Sequence, residues 1–185
     1  MIYEPQEDSL LLVSCLPSSL QGRILDVGCG SGVLSIEARS RGGDVLSLDI
    51  DPAVVKHAKI LGLNVLQSDL FENVSGKFDW ILFNPPYLPL DEAEDEESRR
   101  VTTGGKHGHE LLERFLKDAK KFLKKDGKIL LVVSSLTGNV DVLFKKYRFN
   151  VKKLKEESHF FERLIVYELT SIMQEHLLLQ VEPTD

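Results

Sequence analysis

The tetrapeptide Asn84-Pro85-Pro86-Tyr87 follows directly on the apolar run Phe78-Asp79-Trp80-Ile81-Leu82-Phe83. Two prolines bring no backbone N–H, fix φ and push the residue before them out of helical geometry, so the segment is stiff and rich in hydrogen-bond acceptors. The side-chain oxygen of Asn84 and the carbonyl of Pro85 can together hold both protons of a planar NH₂ group. Such a nitrogen is a poor nucleophile because its lone pair is delocalised. Acceptors that strengthen as the nitrogen gains positive character stabilise the transition state more than the ground state, and no strong general base is needed. Tyr87 is placed to wall or stack on the planar group.

A second group of residues suits a nucleoside ligand. Asp26-Val27-Gly28-Cys29-Gly30-Ser31-Gly32 is a glycine-rich turn after an apolar run, where backbone can approach a ligand closely. A dinucleotide fingerprint wants its third glycine one residue later, where this chain has Val33. Asp26 would repel a diphosphate but could bind an ammonium, directly or through water, which favours an amino-acid-bearing nucleoside over NAD. Asp49 lies 21 positions after Gly28, the usual place for an acid that binds ribose hydroxyls, and Asp51 reads as the helix cap before Pro52. Asp69, followed by Leu70, is placed to accept a proton from an exocyclic amine such as adenine's. Each acid alone could be a loop or cap residue.

The elements that must position these residues alternate in type. Arg23–Val27, Asp44–Asp49, Asn64–Gln67, Phe78–Phe83 and Lys128–Val133 read as strands, and Ser31–Arg41, Pro52–Leu61, His109–Leu123 and Asn139–Tyr147 as helices between them. This series predicts an α/β fold with a doubly wound, mostly parallel sheet, whose continuously apolar strands are covered on both faces. Two more strands, Phe149–Leu154 and Phe160–Leu169, are joined by the short Lys155–His159 connection. A hairpin is therefore expected, with the last strand antiparallel. All three acids and Asn84 then fall at the carboxyl edge, where open α/β sheets bind ligands.

With 185 residues, 42% hydrophobic and 28% charged, one catalytic domain over residues 1–185 is expected. It divides into an N-terminal segment 1–20, a core 21–170 and a tail 171–185. No apolar run could span a membrane, and Glu4, Glu7 and Asp8 do not suit an export signal, so a cytoplasmic protein without membrane partners is expected. Cys15 and Cys29 are too few for a disulfide framework and read as free thiols; His107 and His109 lack a metal-ligand pattern. A net charge of −6, with the acidic run Asp91-Glu92-Ala93-Glu94-Asp95-Glu96-Glu97 beside the prolines, argues against gripping a phosphate backbone. The acidic run could attract a basic protein surface or be a solvated loop, and Lys117, Lys120, Lys121, Lys124 and Lys125 read as a solvated helix face.

Taken together, these residues resemble the class I S-adenosylmethionine-dependent methyltransferases. Within that class they resemble the HemK-type enzymes that methylate the glutamine nitrogen in the GGQ motif of peptide-chain release factors. "LDVGCGSG" at 25–32 is similar to the methionine-binding loop, "NPPY" at 84–87 to the amino-methyltransferase motif, and "YEPQEDS" at 3–9 to the N-terminal segment of the shorter archaeal and eukaryotic branch. The resemblance implies a seven-stranded Rossmann-like sheet and S-adenosylmethionine as cofactor, with Glu7, Asp8 and Ser9 folded over it. The implied cofactor contacts are Ser9, Asp26, Gly28, Gly30, Asp49, Asp69, Leu70 and Asn84. Asn84, Pro85 and Tyr87 are the implied catalytic set, and Pro86, Gly104 and Gly105 join them around the substrate. The glycine loop Gly104-Gly105-Lys106-His107-Gly108 resembles the family's substrate-side loop, although Thr102 and Thr103 stand where tryptophan is common. The branch is commonly activated by a small zinc-binding protein that pairs with a sheet edge.

The motif names the nucleophile and leaves the substrate open. A nucleic-acid amino-methyltransferase acting on adenine or guanine is the main alternative, since NPPY suits any planar NH₂. Such an enzyme normally shows a basic groove or recognition domain and must flip its base. Protein lysine methylation and a non-catalytic cofactor-binding subunit are further readings; intact NPPY opposes the last.

Overall fold

Buried apolar strands of alternating face are the frame on which the site is built. The computed structural model describes residues 7–90, 102–159 and 161–172. The elements in chain order are α1 (Glu7–Ser14), β1 (Arg23–Val27), α2 (Val33–Ser40), β2 (Asp44–Asp49), α3 (Pro52–Ile60), β3 (Val65–Gln67), β4 (Phe78–Phe83) and β5 (Leu88–Pro89). There follow β6 (Thr103–Gly105), α4 (Glu110–Phe122), β7 (Leu123–Ser134), a 3₁₀ turn (Ser135–Thr137), α5 (Val140–Lys146), β8 (Phe149–Ser158) and β9 (Arg163–Ser171). Seven strands form one sheet in the order β3-β2-β1-β4-β7-β9-β8, parallel except for β9, which runs antiparallel to β7 and β8. This is the doubly wound, mostly parallel sheet with an antiparallel last strand that the strand and helix pattern predicts, with the seven strands that the resemblance implies.

Side-chain alternation along β7 separates the two cores. Ile129, Leu131 and Val133 face a cluster with Phe83 of β4 and Leu112, Phe115 and Leu116 of α4, whereas Leu130 and Val132 face Leu11 and Leu12 of α1 and Leu34 and Ala38 of α2. Helices cover both faces, which is why these strands carry apolar residues at every position.

Several boundaries differ from the sequence expectation. Segment 7–14 is a helix, anchored by Leu11 and Leu12 with Leu16 and Leu20 behind it. Helix α2 begins only at Val33, because Gly32 before it has φ 84°, and α3 is capped as expected, Asp51 Oδ1 accepting from Ala53 N at 2.7 Å. Strand β7 starts at Leu123; Phe78 opposes Leu123 and Trp80 opposes Lys128, so Lys124–Gly127 bulge from the ladder and Lys124 and Lys125 are not on the helix. Lys124 pairs with Asp79, Lys121 with Asp118, and Lys120 lies over Phe149, which leaves no continuous basic stripe among them. Lys155–Ser158 extend β8 instead of forming the connection, and β9 begins at Arg163. The parallel pair β5–β6, absent from the sequence reading, joins the residues after NPPY to the glycine loop. The acidic run 91–97, Tyr3–Gln6 and most of the 171–185 tail lie outside the described residues.

Candidate active site

Strands β1, β2, β3 and β4 are adjacent and parallel, so the residues at their carboxyl ends converge. Asp26, on β1, is fully buried. Its Oδ2 accepts from Ser35 Oγ of α2 at 2.5 Å, and Ser35 Oγ lies 2.7 Å from Ser47 Oγ of β2. Its Oδ1 is buried and has no partner among the described residues. Burial pushes the Asp26 carboxyl up to about 7; the Ser35 hydroxyl opposes this and the charge of Asp49 adds to it. Asp49 Oδ2 accepts from Gly30 N at 3.1 Å and its Oδ1 from Asp51 N at 3.0 Å, so this acid braces the glycine turn. Burial raises its pKa, against the pull of those two N–H groups. Burial, Asp26 and Asp49 together raise the Cys29 thiol and keep it protonated and inert.

Gly28 has φ 68°, and a Cβ added there would meet open space. The left-handed backbone, and not protein packing, calls for glycine at this position, which leaves room for a ligand against the main chain. Asp69 follows β3; its Oδ2 accepts from Arg114 Nη2 of α4 at 2.8 Å, a partner that the sequence reading did not foresee. Leu70 is a non-glycine residue at φ 49°, the kind of backbone strain that clusters at binding sites. A buried carboxylate oxygen without a donor, an open glycine turn and acids at the ends of three strands fit an amino-acid-bearing nucleoside, and Asp26, Asp49 and Asp69 with Leu70 are the residues placed to hold it.

NPPY sits at the end of β4. Asn84 Nδ2 donates to Ser9 Oγ of α1 at 3.1 Å, while Asn84 Oδ1 is buried without a partner among the described residues. Ser9, implied as a cofactor contact, is thus placed against the candidate catalytic amide. Pro85 is buried and Pro86 half-buried. The Tyr87 hydroxyl donates to Asp8 Oδ2 at 3.4 Å. Burial, then the charges of Asp8, Glu162 and Glu7, raises the Tyr87 pKa, so the phenol stays protonated and is unsuited to act as a base.

The glycine loop packs directly on this motif. A Cβ on Gly104 would lie 2.7 Å from Pro86 O and closer still to Gly108 O, and one on Gly108 would lie 2.6 Å from Tyr87 O. Tyr87 N donates to Thr102 O at 3.0 Å and Leu90 N to Gly105 O at 3.0 Å, closing the β5–β6 pair. A Cβ on Gly105 would run into the Glu110 carboxylate, which accepts from His107 N at 3.0 Å. Gly104 is therefore brought to the NPPY backbone, while Gly105 lies against Glu110 and Leu90 just beyond it. Ser35, Ser47, Arg114 and the Asp8–Tyr87 contact were missed: each pairing depends on how helices pack onto the sheet, and no local pattern announces it.

Comparison with known proteins fits this geometry. The methyltransferase small domain model matches residues 4–161. A Methanocaldococcus jannaschii protein named "Putative protein N5-glutamine methyltransferase" is 40% identical over 176 residues, 89% of this chain and 89% of its own. The E. cuniculi Mtq2-Trm112 complex, described as responsible for methylation of the eRF1 translation termination factor, contains a similar chain with a TM-score of 0.73. That chain is 24% identical, and the match covers 92% of this chain and 98% of that one. A T. thermophilus 16S rRNA N2 G1207 methyltransferase, solved with AdoMet and guanosine, matches with a TM-score of 0.68 at 20% identity, over 91% of this chain and 44% of its own.

Proposed function

Since the chain belongs to the methyltransferase small domain family and is an S-adenosylmethionine-dependent methyltransferase, we propose that it methylates the side-chain amide nitrogen of the glutamine in the GGQ motif of a peptide-chain release factor. The observation that carries this reading is Asn84 Oδ1, a buried acceptor at the end of β4 with no donor of its own among the described residues. An acceptor sealed in this way costs about 1–3 kcal/mol, and an incoming N–H relieves that cost.

The cofactor supplies an electrophilic sulfonium methyl; the chain supplies everything else. Asp26 receives an ammonium, Asp49 ribose hydroxyls, and Asp69 with Leu70 the adenine edge. Asn84 Oδ1 and the Pro85 carbonyl hold both protons of the planar amide, leaving the nitrogen face directed at the methyl. With the cofactor bound, the amide nitrogen would take the methyl while the thioether leaves with the C–S electrons, and the N–H proton lost would pass to solvent from the acceptors Asn84 Oδ1 and Pro85 O. Both acceptors gain strength along that path. Tyr87, protonated and tied to Asp8, walls the amide plane.

A protein substrate is favoured over nucleic acid by the charges at the entrance. Asp8, Glu162 and Glu7 all act on Tyr87, and the acidic run 91–97 follows NPPY in sequence, between β5 and β6. This field repels phosphates and attracts a basic protein surface. The likeness to an rRNA guanine methyltransferase supports the runner-up, a nucleobase amine held by the same acceptors. A small zinc-binding activator protein is proposed as partner, as the E. cuniculi Mtq2-Trm112 complex joins its own methyltransferase chain to a second protein. The three-residue edge strand β3, beside Ile60 and Ile50 at 76% and 62% exposure, is the less guarded edge; β8 carries Lys152, Lys153, Lys155, Glu156 and Glu157.

The test is transfer of labelled methyl to purified release factor, to its GGA variant, and to bulk tRNA and DNA, each with and without the activator. Label on release factor that disappears in the GGA variant is the expected result. Label on nucleic acid alone refutes the protein-amide reading.

A further inference from the structure

Asparagine is nearly symmetric in shape but not in chemistry. An Asn whose oxygen must accept from a substrate needs its side chain held still at the place where the substrate binds. Resting on the amide-transfer reading above, we infer that Ser9 of α1 is a positioning residue that holds the Asn84 side-chain amide in place at the end of β4.

Three observations carry this. Asn84 Nδ2 donates to Ser9 Oγ at 3.1 Å across 75 residues of sequence, and Asn84 Oδ1 is left as the end with no partner among the described residues. Ser9 is 4% exposed, so water does not compete for that bond. The helix that carries it is itself anchored: Leu11 and Leu12 are buried against α2 and the sheet, and Ser9 N donates to Asp8 Oδ1 at 2.6 Å. The adjacent Asp8 accepts from the Tyr87 hydroxyl at 3.4 Å. Two neighbouring residues of α1 therefore hold the two side chains of NPPY that face the reaction, one the amide and the other the phenol. Ser9 acts through Asn84 and is not itself a catalytic residue. The inference also departs from the role that resemblance assigns to Ser9, direct contact with the cofactor.

The two roles separate experimentally. Ser9→Ala and Ser9→Thr are made in the full chain with its activator. Three readouts follow: kcat and KM on release factor, S-adenosylmethionine Kd by calorimetry without substrate, and ¹⁵N-edited signals of the Asn84 side-chain NH₂. Ser9→Ala is expected to lower kcat about tenfold, the scale of one neutral hydrogen bond. Cofactor Kd should stay within about twofold, the Asn84 NH₂ protons should exchange faster with water, and Ser9→Thr should restore most of kcat because it keeps the hydroxyl. Unchanged kcat with weakened cofactor binding overturns the inference and makes Ser9 a cofactor contact. An Asn84 NH₂ signal identical in wild type and Ser9→Ala overturns it whatever the activity. If the wild-type chain labels no release factor, the function reading fails by itself, while the Asn84 signal still decides whether Ser9 holds the amide. Should Ser9→Ala not fold, slow NH₂ exchange in the wild type supports the inference and free exchange overturns it.

Discussion

Replacing Asp26 by Asn should make the ligand-free protein more stable at pH 8 and leave it little changed at pH 5. Asp26 is fully buried, and burial raises its folded-state pKa to about 7, against an ordinary carboxyl at 3.8. The folded state therefore holds this proton more tightly than the unfolded chain. Stability from Asp26 is complete below about pH 4, falls as pH rises, and is fully lost above about pH 7. Three pH units at 1.36 kcal/mol each set an upper bound of about 4 kcal/mol at pH 8. Asparagine forfeits part of that gain, because its NH₂ meets the Ser35 hydroxyl now donating to Oδ2, and an imperfectly paired buried donor costs about 1–3 kcal/mol. A net gain of about 2 kcal/mol remains, several degrees in Tm for a chain of this size. Calorimetric Tm differences between variant and wild type, taken without ligand from pH 5 to 8.5 at constant ionic strength, isolate this residue from every other titration. A difference that grows from pH 5 to about 7 and then levels off is expected. A constant difference refutes the argument, because it would mean Asp26 does not titrate in that window. The same proton opposes the proposed cofactor ammonium, so wild-type S-adenosylmethionine affinity should rise up to tenfold per pH unit below about 7 and then level off, whereas Asp26→Asn should bind weakly at every pH.

Further outcomes are expected elsewhere. Gly104→Ala places a Cβ 2.7 Å from Pro86 O and nearer still to Gly108 O; it should cost about 1–3 kcal/mol in chemical denaturation and raise substrate KM more than cofactor Kd, since overpacking must displace backbone. Asp51→Ala removes the cap on Ala53 N and should lower stability by about 1 kcal/mol, roughly 2–4 °C in Tm, without affecting kcat. Arg114→Ala breaks the Asp69 ion pair, whose arginine is 54% exposed; solvent screening limits the loss to under about 1 kcal/mol, and a larger fall in Tm would show that the pair is more shielded than its exposure implies.

Some of this architecture was legible in the chain because its causes are local. Strands β1, β2 and β4 match the sequence reading to the residue, since each is a short apolar run bounded by glycine, charge or proline. The Asp51-Pro52 helix start is also local chemistry. Strand β8 was cut short at Leu154 because Lys155-Glu156-Glu157-Ser158 read as a connection. On a sheet edge, however, a strand needs little apolar surface, and most of its residues are exposed. Helix α1 lacked a signal because Leu10-Leu11-Leu12-Val13 is apolar all round, with Leu10 exposed, and so shows no helical stripe. The carboxylates were found because strand ends converge in any parallel sheet. What each carboxylate touches, Ser35 for Asp26 or Arg114 for Asp69, depends on the packing of helices onto that sheet.

The two unpartnered acceptors at this edge are related by that packing. Asp26 lies opposite Leu82 in the β1–β4 ladder, and Asn84 is two residues beyond Leu82, so alternation puts Asp26 and Asn84 on one face of the sheet. Leu82 itself packs with Leu11, Leu12 and Leu34, which identifies this as the face covered by α1 and α2. One strand spacing across and two residues along separate the acceptors by about 8 Å. Asp26 Oδ1 and Asn84 Oδ1 are both sealed and both without donors among the described residues. Each costs the empty protein stability, and a single misfit would be an incidental flaw. Two on the same face, within reach of one ligand pair, support the proposed site, in which Asp26 would face a cofactor ammonium at β1 and Asn84 a substrate amide at β4.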